Sequence, residues 1–320
     1  METVCNRADT IPLLVVCGPT ASGKTRLSID LAKRFDGEVV SADSMQIYRG
    51  MDIGTAKPTE AEKNGVPHHM LDIVDPDKAF SLVDFLHRAK AVIADIHQRG
   101  KLPILAGGTG LYIHSLVDNI QFQQALSDPG LREKLEQEAR EQGAEHLWAK
   151  LRDHDPELSE RLHPNNLGRI IRALEVYALT GVPMSEWQRR SRREPSPYHP
   201  CMLGLAFENR QTLYDRIDTR VDRMLEVGLL DEVRALIAGG PLSKTAAQAI
   251  GYKELLDYLD ARGSLDEAVA LIKQSSRRYA KRQLTWLRRD PRIHWLIWES
   301  FNSYEELLEE AARQVHDKIN

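Results

Sequence analysis

The sequence predicts an α/β protein: a parallel sheet flanked by helices, carrying an all-helical insertion domain and a helical C-terminal region. Three observations predict it. From residue 11 to about 118, short apolar runs alternate with amphipathic helical stretches, the pattern of β-α-β units. Between about 119 and 199 the strand signal disappears while charged, helical periodicity continues. After one further strand-like run, Met202–Phe207, apolar residues recur about every 3.6 positions to the end of the chain.

Taken in order, Leu13–Cys17 reads as the first strand and Lys24–Phe35 as the helix behind it. Glu38–Ala42 is the second strand, Leu82–Arg99 a helix and Leu102–Ala106 the third strand. Each of these strands ends in a chemically loaded turn, where parallel sheets place their ligands. In the insertion, Leu131–Arg152 reads as one charged helix, Leu167–Thr180 as an amphipathic helix, and Ser185–Ser196 as a basic, irregular stretch. Helices follow at Leu213–Val227, Leu230–Ile237, Lys253–Leu259, Leu265–Arg289 and Tyr304–Ile319. The expected domains are a core of residues 1–118 plus 200–320 and an insertion of residues 119–199.

The 320 residues are 42% hydrophobic and 28% charged, the composition of a soluble globular protein. No apolar stretch approaches the roughly 20 residues of a membrane span. Met1 to Thr10 lacks the apolar region of a secretory signal, so a cytoplasmic location without a membrane partner is expected. Cys5, Cys17 and Cys201 are widely spaced, which suits reduced thiols and argues against zinc. The histidines, His68-His69 included, form no metal-binding pattern. No sustained exposed apolar seam is evident, and a monomer is expected. The net charge of −4 hides an asymmetry. Arg277, Arg278, Lys281, Arg282, Arg288, Arg289 and Arg292 crowd one stretch, whereas residues 302–311 are acidic.

Four motifs carry chemistry. Gly18-Pro19-Thr20-Ala21-Ser22-Gly23-Lys24-Thr25 is a complete G-x-x-x-x-G-K-[ST] phosphate loop between a strand and a helix, the context the motif requires. Such a loop turns consecutive backbone N–H groups around a phosphate, and the helix N-terminus adds its partial positive charge. Lys24 would reach terminal phosphate oxygens and Thr25 would help hold Mg²⁺. Asp43-Ser44-Met45-Gln46 follows the second strand. Its carboxylate could bind the metal, act as a general base, or cap the next turn, and Gln46 could pair with a purine edge. Gly107-Gly108-Thr109-Gly110 follows the third strand, with Thr109 offering a hydroxyl to the same crevice. In the last long helix, Arg277/Lys281 and Arg278/Arg282 are like-charge i, i+4 pairs. These cost an isolated helix a few tenths of a kcal/mol, and an anionic partner would offset that cost. Gln283, Thr285 and Trp286 interleave with them in a way that suits RNA. Arg169 and Arg172 share one side of a helix, and Arg210, Arg216 and Arg220 form a third basic set.

Together the segments GPTASGKT at 18–25, DSMQIYRGMDIGTAKP at 43–58, HHMLD at 68–72, GGTGLY at 107–112, RIIRALEVY at 169–177, AIGYKE at 249–254 and KRQLTWLRR at 281–289 closely resemble the tRNA dimethylallyltransferases, in order and across nearly the whole chain. The resemblance implies a P-loop NTPase-like fold. It also implies transfer of a dimethylallyl group from its diphosphate to N6 of adenosine 37 in the tRNA anticodon stem-loop, with Mg²⁺ and release of diphosphate. By the same resemblance the phosphate loop holds the prenyl diphosphate rather than ATP. Asp43 then accepts the N6 proton, and Thr109 touches the target nucleotide. Segments matching 43–46, 168–172, 247–252 and 281–288 contact tRNA in the family. Carried over, the tRNA-binding residues are Asp43, Ser44, Met45, Gln46, Thr109, Arg132, Gly168, Arg169, Ile170, Ile171, Arg172, Gln248, Gly251, Tyr252, Lys281, Arg282, Gln283, Trp286 and Arg288, with Arg278 beside them. Eukaryotic members carry a zinc finger for which this sequence has no pattern, so the resemblance is to the bacterial form.

The chemistry of the residues agrees with that role. Alkyl transfer from a diphosphate needs a stabilised leaving group. Lys24, Thr25, the loop amides, Mg²⁺ and Arg210 or Arg216 could supply that stabilisation. A stacked base cannot be reached, so the adenosine is expected to be flipped into a channel. The main alternative is a small-molecule or nucleoside kinase with ATP in the same loop, but no strand-borne aspartate of the Walker B kind appears besides Asp43. A non-catalytic RNA-binding switch leaves Asp43 and Thr109 without purpose. An isoprenoid chain-elongating synthase would need D-D-x-x-D clusters, which are absent.

Overall fold

The computed structural model describes residues 10–121 and 128–319; Cys5 and the other residues of 1–9, with 122–127 and 320, lie outside the description. Two compact units result, Met1–Val117 with Pro197–Asn320, and Asp118–Ser196.

The first unit begins with β1 (Ile11–Cys17), α1 (Lys24–Arg34), β2 (Gly37–Ala42), the short α2 (Glu60–Lys63) and β3 (His68–His69). It continues through α3 (Leu82–Gln98), β4 (Leu102–Gly107) and α4 (Gly110–Val117). The second unit contains α5 (Pro129–Gln142), α6 (Ala144–His154), α7 (Pro156–Arg161), α8 (Leu167–Thr180) and α9 (Met184–Arg190). The chain then returns to the first unit with β5 (Tyr198–Ala206), α10 (Arg210–Glu226), α11 (Leu229–Ala238), α12 (Tyr252–Leu259), α13 (Leu265–Leu287), β6 (Ile293–Ile297) and α14 (Tyr304–Ile319).

The six strands form one parallel sheet in the order β3-β2-β4-β1-β5-β6. β1 is central and buried along nearly its whole length, as an unbroken Leu-Leu-Val-Val run must be between two layers of helices. One face packs on α3, α4 and the helices α11 to α13 through Val15, Val40, Phe85, Ile93 and Leu255. The other face packs on α1 and α14 through Val16, Leu27, Leu31, Leu307 and Val315. Two strands went unread in the sequence. β6 is an Ile-His-Trp-Leu-Ile run, and β3 spans only two residues at the sheet edge.

The insertion unit has its own core of Leu135, Leu147, Leu151, Ile170, Ile171 and Leu174. The single helix expected over Leu131–Arg152 is two helices, broken at Gly143, whose φ of +88° closes α5 and opens α6. The stretch expected to be irregular after Ser185 is helical as far as Arg190, stabilised by Glu186, which pairs with Arg189 and Arg190 one turn on.

Candidate active site

The phosphate loop leaves the carboxyl end of β1 and enters α1 at Gly23, whose φ of +96° is open to glycine at no steric cost. Lys24 folds back over the loop and donates to the Pro19 carbonyl at 3.2 Å. Burial and the nearby Arg220 guanidinium pull its pKa down to about 8, although Asp43 opposes the shift. A diphosphate ester should therefore bind with undiminished affinity below about pH 8. Above that, affinity falls by up to about tenfold per pH unit as the free protein's ammonium loses its proton. Titration calorimetry across pH 7–9.5 checks this, and a flat profile would contradict it.

The loop opens into a cavity of about 420 Å³ lined by residues of several elements. Thr20, Lys24, Thr25 and Ser28 come from the loop and α1; Ser41, Asp43, Ser44, Met45 and Gln46 come from β2 and the turn after it. Opposite them stand Arg220 and Met224 of α10, Gln248 and Gly251 before α12, and Arg278, Tyr279, Arg282 and Gln283 of α13. Val39, Leu71, Ile217, Val221, Ile250 and Ile272 supply the apolar portion. The sequence therefore brought the loop, Asp43 and the basic face of α13 to one place.

Of the jobs the sequence left open for Asp43, the structure shows the capping one. Its Oδ1 accepts from Met45 N–H at 2.8 Å and, less closely, from Gln46 N–H at 3.4 Å. This fixes the carboxylate's orientation in the cavity wall and leaves Oδ2 outside those turn bonds. Its charge is felt by Lys24, Arg220 and Tyr279. Burial first, then the charge of Asp43, push the Tyr279 phenol up to about 12, with Thr109 and Gln283 beside it. The Thr109 hydroxyl is buried at the edge of this group, and its N–H donates to the Ala42 carbonyl at 3.3 Å.

Several expected contacts fall elsewhere. Arg210 is exposed and does not line the cavity; Arg216 donates through Nε to the Ala21 carbonyl from outside the loop. Arg220, one turn beyond Arg216, faces inward instead and lines the cavity, where burial lowers its pKa against the opposing charges of Asp43 and Glu62. Gln46 is not free to read a base with its NH₂ group, because its Nε2 donates to the carbonyls of Thr55 and Ala56 while its Oε1 accepts from Ser41.

Gln283 is 5% exposed and bridges two glycine turns: its Oε1 accepts from Thr20 N–H at 2.9 Å, and its Nε2 donates to the Gly108 carbonyl at 3.1 Å. A side chain at position 108 would collide with that Nε2, so only glycine lets the two turns approach. Tyr252 is 0% exposed, with its hydroxyl bonded to Glu232. Trp286 packs over Gly110 rather than lining the cavity, while Lys281 and Arg288 are exposed on and just beyond α13, outside it.

Within the insertion unit, Ile170 and Ile171 are core residues, whereas Gly168 and Arg169 are exposed. Arg132 and Arg172 both pair with the buried Glu175 at 2.7 Å, so one negative charge already balances part of theirs. Of the like-charge pairs on α13, Arg277 is neutralised by Asp218 of α10. Arg278 and Arg282 remain on the cavity side.

Three residues carry site features that sequence reasoning did not assign. Arg220 could have been separated from Arg216 only by the helical phase of α10. His68 lines the cavity with Nδ1 on the Val66 carbonyl and Nε2 buried, and burial lowers its pKa. Trp298 reaches the loop from beyond β6, donating to the Ser22 carbonyl at 2.8 Å. Among the described residues no group of three or more His, Cys, Asp or Glu could hold a metal ion, and no helix is long and apolar enough to cross a membrane.

A family model described as IPP transferase matches residues 46–290. A tRNA dimethylallyltransferase of Caldanaerobacter subterraneus is 50% identical over 97% of this chain and 99% of its own. One from Geobacillus thermodenitrificans is 51% identical over 97% and 98%. Among solved structures, a tRNA isopentenylpyrophosphate transferase of Bacillus halodurans is similar with a TM-score of 0.72 and 44% identity, covering 96% of this chain and 97% of that one. A eukaryotic dimethylallyltransferase, described as acting on tRNA, is similar with a TM-score of 0.77 and 31% identity, covering 91% and 75%.

Proposed function

The chain belongs to the IPP transferase family, and we propose that the cavity beside its phosphate loop is where a dimethylallyl group passes from its diphosphate to N6 of adenosine 37 in tRNA. The chain is a tRNA dimethylallyltransferase by its relatives; the kinase alternative fits neither them nor the basic face of α13. The observation that carries the site assignment is the convergence of Lys24, Asp43 and Arg278 on one cavity from three separate elements.

In this reading the loop amides, Lys24 and Arg220 hold the diphosphate and stabilise its charge as the carbon–oxygen bond breaks, a task suited to fixed donors in a partly dehydrated site. The apolar wall of Val221, Ile217 and Ile272 accommodates the five-carbon group and excludes water from the reacting carbon. The adenine amine is a poor nucleophile because its lone pair is delocalised into the ring. Asp43 accepts one N6 proton as the carbon–nitrogen bond forms.

Mg²⁺ fits this donor set: the protein offers the Thr25 hydroxyl, and phosphate oxygens with waters would complete such a shell. When bound it would neutralise charge on the leaving diphosphate. The anticodon stem-loop approaches over α13, and the insertion unit is assigned to tRNA through Gly168 and Arg169, with a monomer working in the cytoplasm.

Incubation with unmodified tRNA and labelled dimethylallyl diphosphate tests the reading, with labelled ATP in parallel. Label should enter tRNA only from the prenyl donor; transfer only from ATP to a small molecule would sink it. Replacing Arg278 and Arg282 together by alanine should weaken tRNA binding uniformly across sequences and lower the magnitude of the log K against log salt slope by about 1–2. An unchanged slope would return those residues to a merely solvated face.

A further inference from the structure

By resemblance Thr109 touches the target nucleotide, yet its side chain does not line the cavity. Its Oγ1 is buried, and its backbone N–H donates to the Ala42 carbonyl at 3.3 Å. The Tyr279 phenol, beside that hydroxyl, does line the cavity. Tyr279 belongs to α13 and precedes Gln283 by one turn, so the two share the helix face turned to the cavity.

The surroundings of the phenol oxygen decide which way its O–H points. Gln283 Oε1 accepts from Thr20 N–H at 2.9 Å, which fixes the amide with its donors on Nε2. One Nε2 hydrogen goes to the Gly108 carbonyl at 3.1 Å, and the other is left for the phenol oxygen beside it. The Thr109 hydroxyl stands next to the same oxygen. Both groups favour negative charge there, so both present donors. Burial and the Asp43 charge outweigh them and push the phenol up to about 12, so it keeps its proton. With donors behind the oxygen, the phenolic hydrogen turns away from them and into the cavity. The Arg282 guanidinium, 5.8 Å from the ring centroid, flanks the ring.

This part of the wall therefore offers an acceptor and a donor together. The acceptor is Asp43, whose Oδ1 is taken by Met45 N–H at 2.8 Å. The donor is the Tyr279 O–H. Adenine carries the complementary pair: its N6 amine donates, and a ring nitrogen accepts on either side of it, N1 on one edge and N7 on the other. Guanine has an oxygen in place of that amine, which would face the Asp43 carboxylate acceptor to acceptor.

We propose that Tyr279 is a specificity-determining residue of the transfer site, donating its phenolic hydrogen to the ring nitrogen beside the N6 amine while Asp43 takes the N6 proton. Thr109 then acts on the base through Tyr279, its hydroxyl and the Gln283 amide holding the phenol oxygen. A purine without the matching pair leaves a buried donor unpaired, which discriminates more strongly than a change of shape. The proposal rests on the reading of Asp43 as acceptor of the N6 proton.

Single-turnover transfer from dimethylallyl diphosphate to three anticodon stem-loop RNAs tests it, with adenosine, 1-deazaadenosine or 7-deazaadenosine at the reacting position. The unaltered protein should transfer to one of the deaza bases about 10- to 100-fold more slowly than to adenosine. Tyr279→Phe keeps the ring and loses only the hydroxyl. It should be slowed on adenosine by a similar factor and show little further loss on that deaza base. The intrinsic reactivity of each amine cancels in this cycle. The diphosphate affinity and melting temperature of Tyr279→Phe should match those of the unaltered protein. Losses that add, or a full rate of Tyr279→Phe on adenosine, overturn the proposal. So does an unaltered protein indifferent to both deaza bases, whatever the variant does. A Thr109→Val protein slowed on adenosine while Tyr279→Phe is not would return the nucleotide contact to Thr109. If the unaltered protein transfers nothing to adenosine, the reading of the site itself fails.

Discussion

Replacing Asp43 by alanine is expected to lower kcat by about 10²- to 10⁴-fold, the usual worth of a positioned general base, while tRNA affinity stays nearly unchanged. The expectation follows from how its two oxygens are used. Oδ1 is occupied by the Met45 and Gln46 N–H groups, so the carboxylate is oriented by its own turn, and Oδ2 remains to take a proton. Alanine removes both functions at once. The Asp43→Asn substitution separates them, since an amide oxygen can still accept from Met45 while the group no longer takes a proton at neutral pH. That variant should melt close to the unaltered protein and still lose most of its rate in single-turnover transfer. An Asp43→Asn protein with full kcat would remove the base assignment.

A second large effect is expected far from the reacting atoms. Glu232 of α11 accepts from three successive backbone N–H groups, Asp52 at 2.9 Å, Ile53 at 2.7 Å and Gly54 at 3.1 Å, and from the Tyr252 hydroxyl at 2.5 Å. The segment it grips forms a wall of the cavity through Gly54, Thr55 and Ala56. Lys57 secures the same segment by pairing with Asp52 and Asp72 and donating to the Tyr48 carbonyl. Burial and the Glu232 carboxylate hold the Tyr252 phenol far above its usual pKa, so it remains a donor throughout the working range. Glu232→Ala leaves these donors without their acceptor and should cost about 2–4 kcal/mol, a fall in Tm of about 3–6 °C. Glu232→Gln, which keeps one oxygen acceptor, should lose less. Thermal unfolding followed by circular dichroism decides it; an unshifted Glu232→Ala midpoint would mean that the grip contributes little.

The fold class was legible because its signals are local. An apolar run followed by glycines and a helix at 13–35 can hardly be anything but a strand, a loop and a helix, and β2 and β4 repeat the logic. β6 was passed over because its five residues lie between a basic helix and an acidic one, where charge masks a short strand. Within the site, Thr20 and Asp43, on turns at strand ends whose side chains have few directions available, line the cavity, whereas Thr109, on the turn after β4, does not. Residues on helices were not so readable. Arg216 and Arg220 differ by one turn, yet one binds the loop's outer carbonyl and the other faces the cavity. Gln283 and Tyr252 lie inside matching motifs but serve as a bridge and a core anchor. Their side-chain direction depends on partners distant in sequence, such as Thr20 and Glu232, which no local pattern reveals.

The insertion between β4 and β5 also sets a schedule for the emerging chain. β1 gains its first neighbour when β4 appears, but its other edge stays open until Tyr198 to Gly204 arrive to pair with Ile11 to Cys17. At about 5–20 residues per second of synthesis, that wait is on the order of ten seconds. Throughout it, the most apolar strand of the protein presents an unpaired ladder, the feature that recruits neighbouring chains into aggregates. A fragment ending before β5 should therefore be captured by chaperones or precipitate. The helical insert, rich in local contacts, can meanwhile fold on its own, long before the phosphate loop receives Gln283 and Trp298 from the far end of the chain.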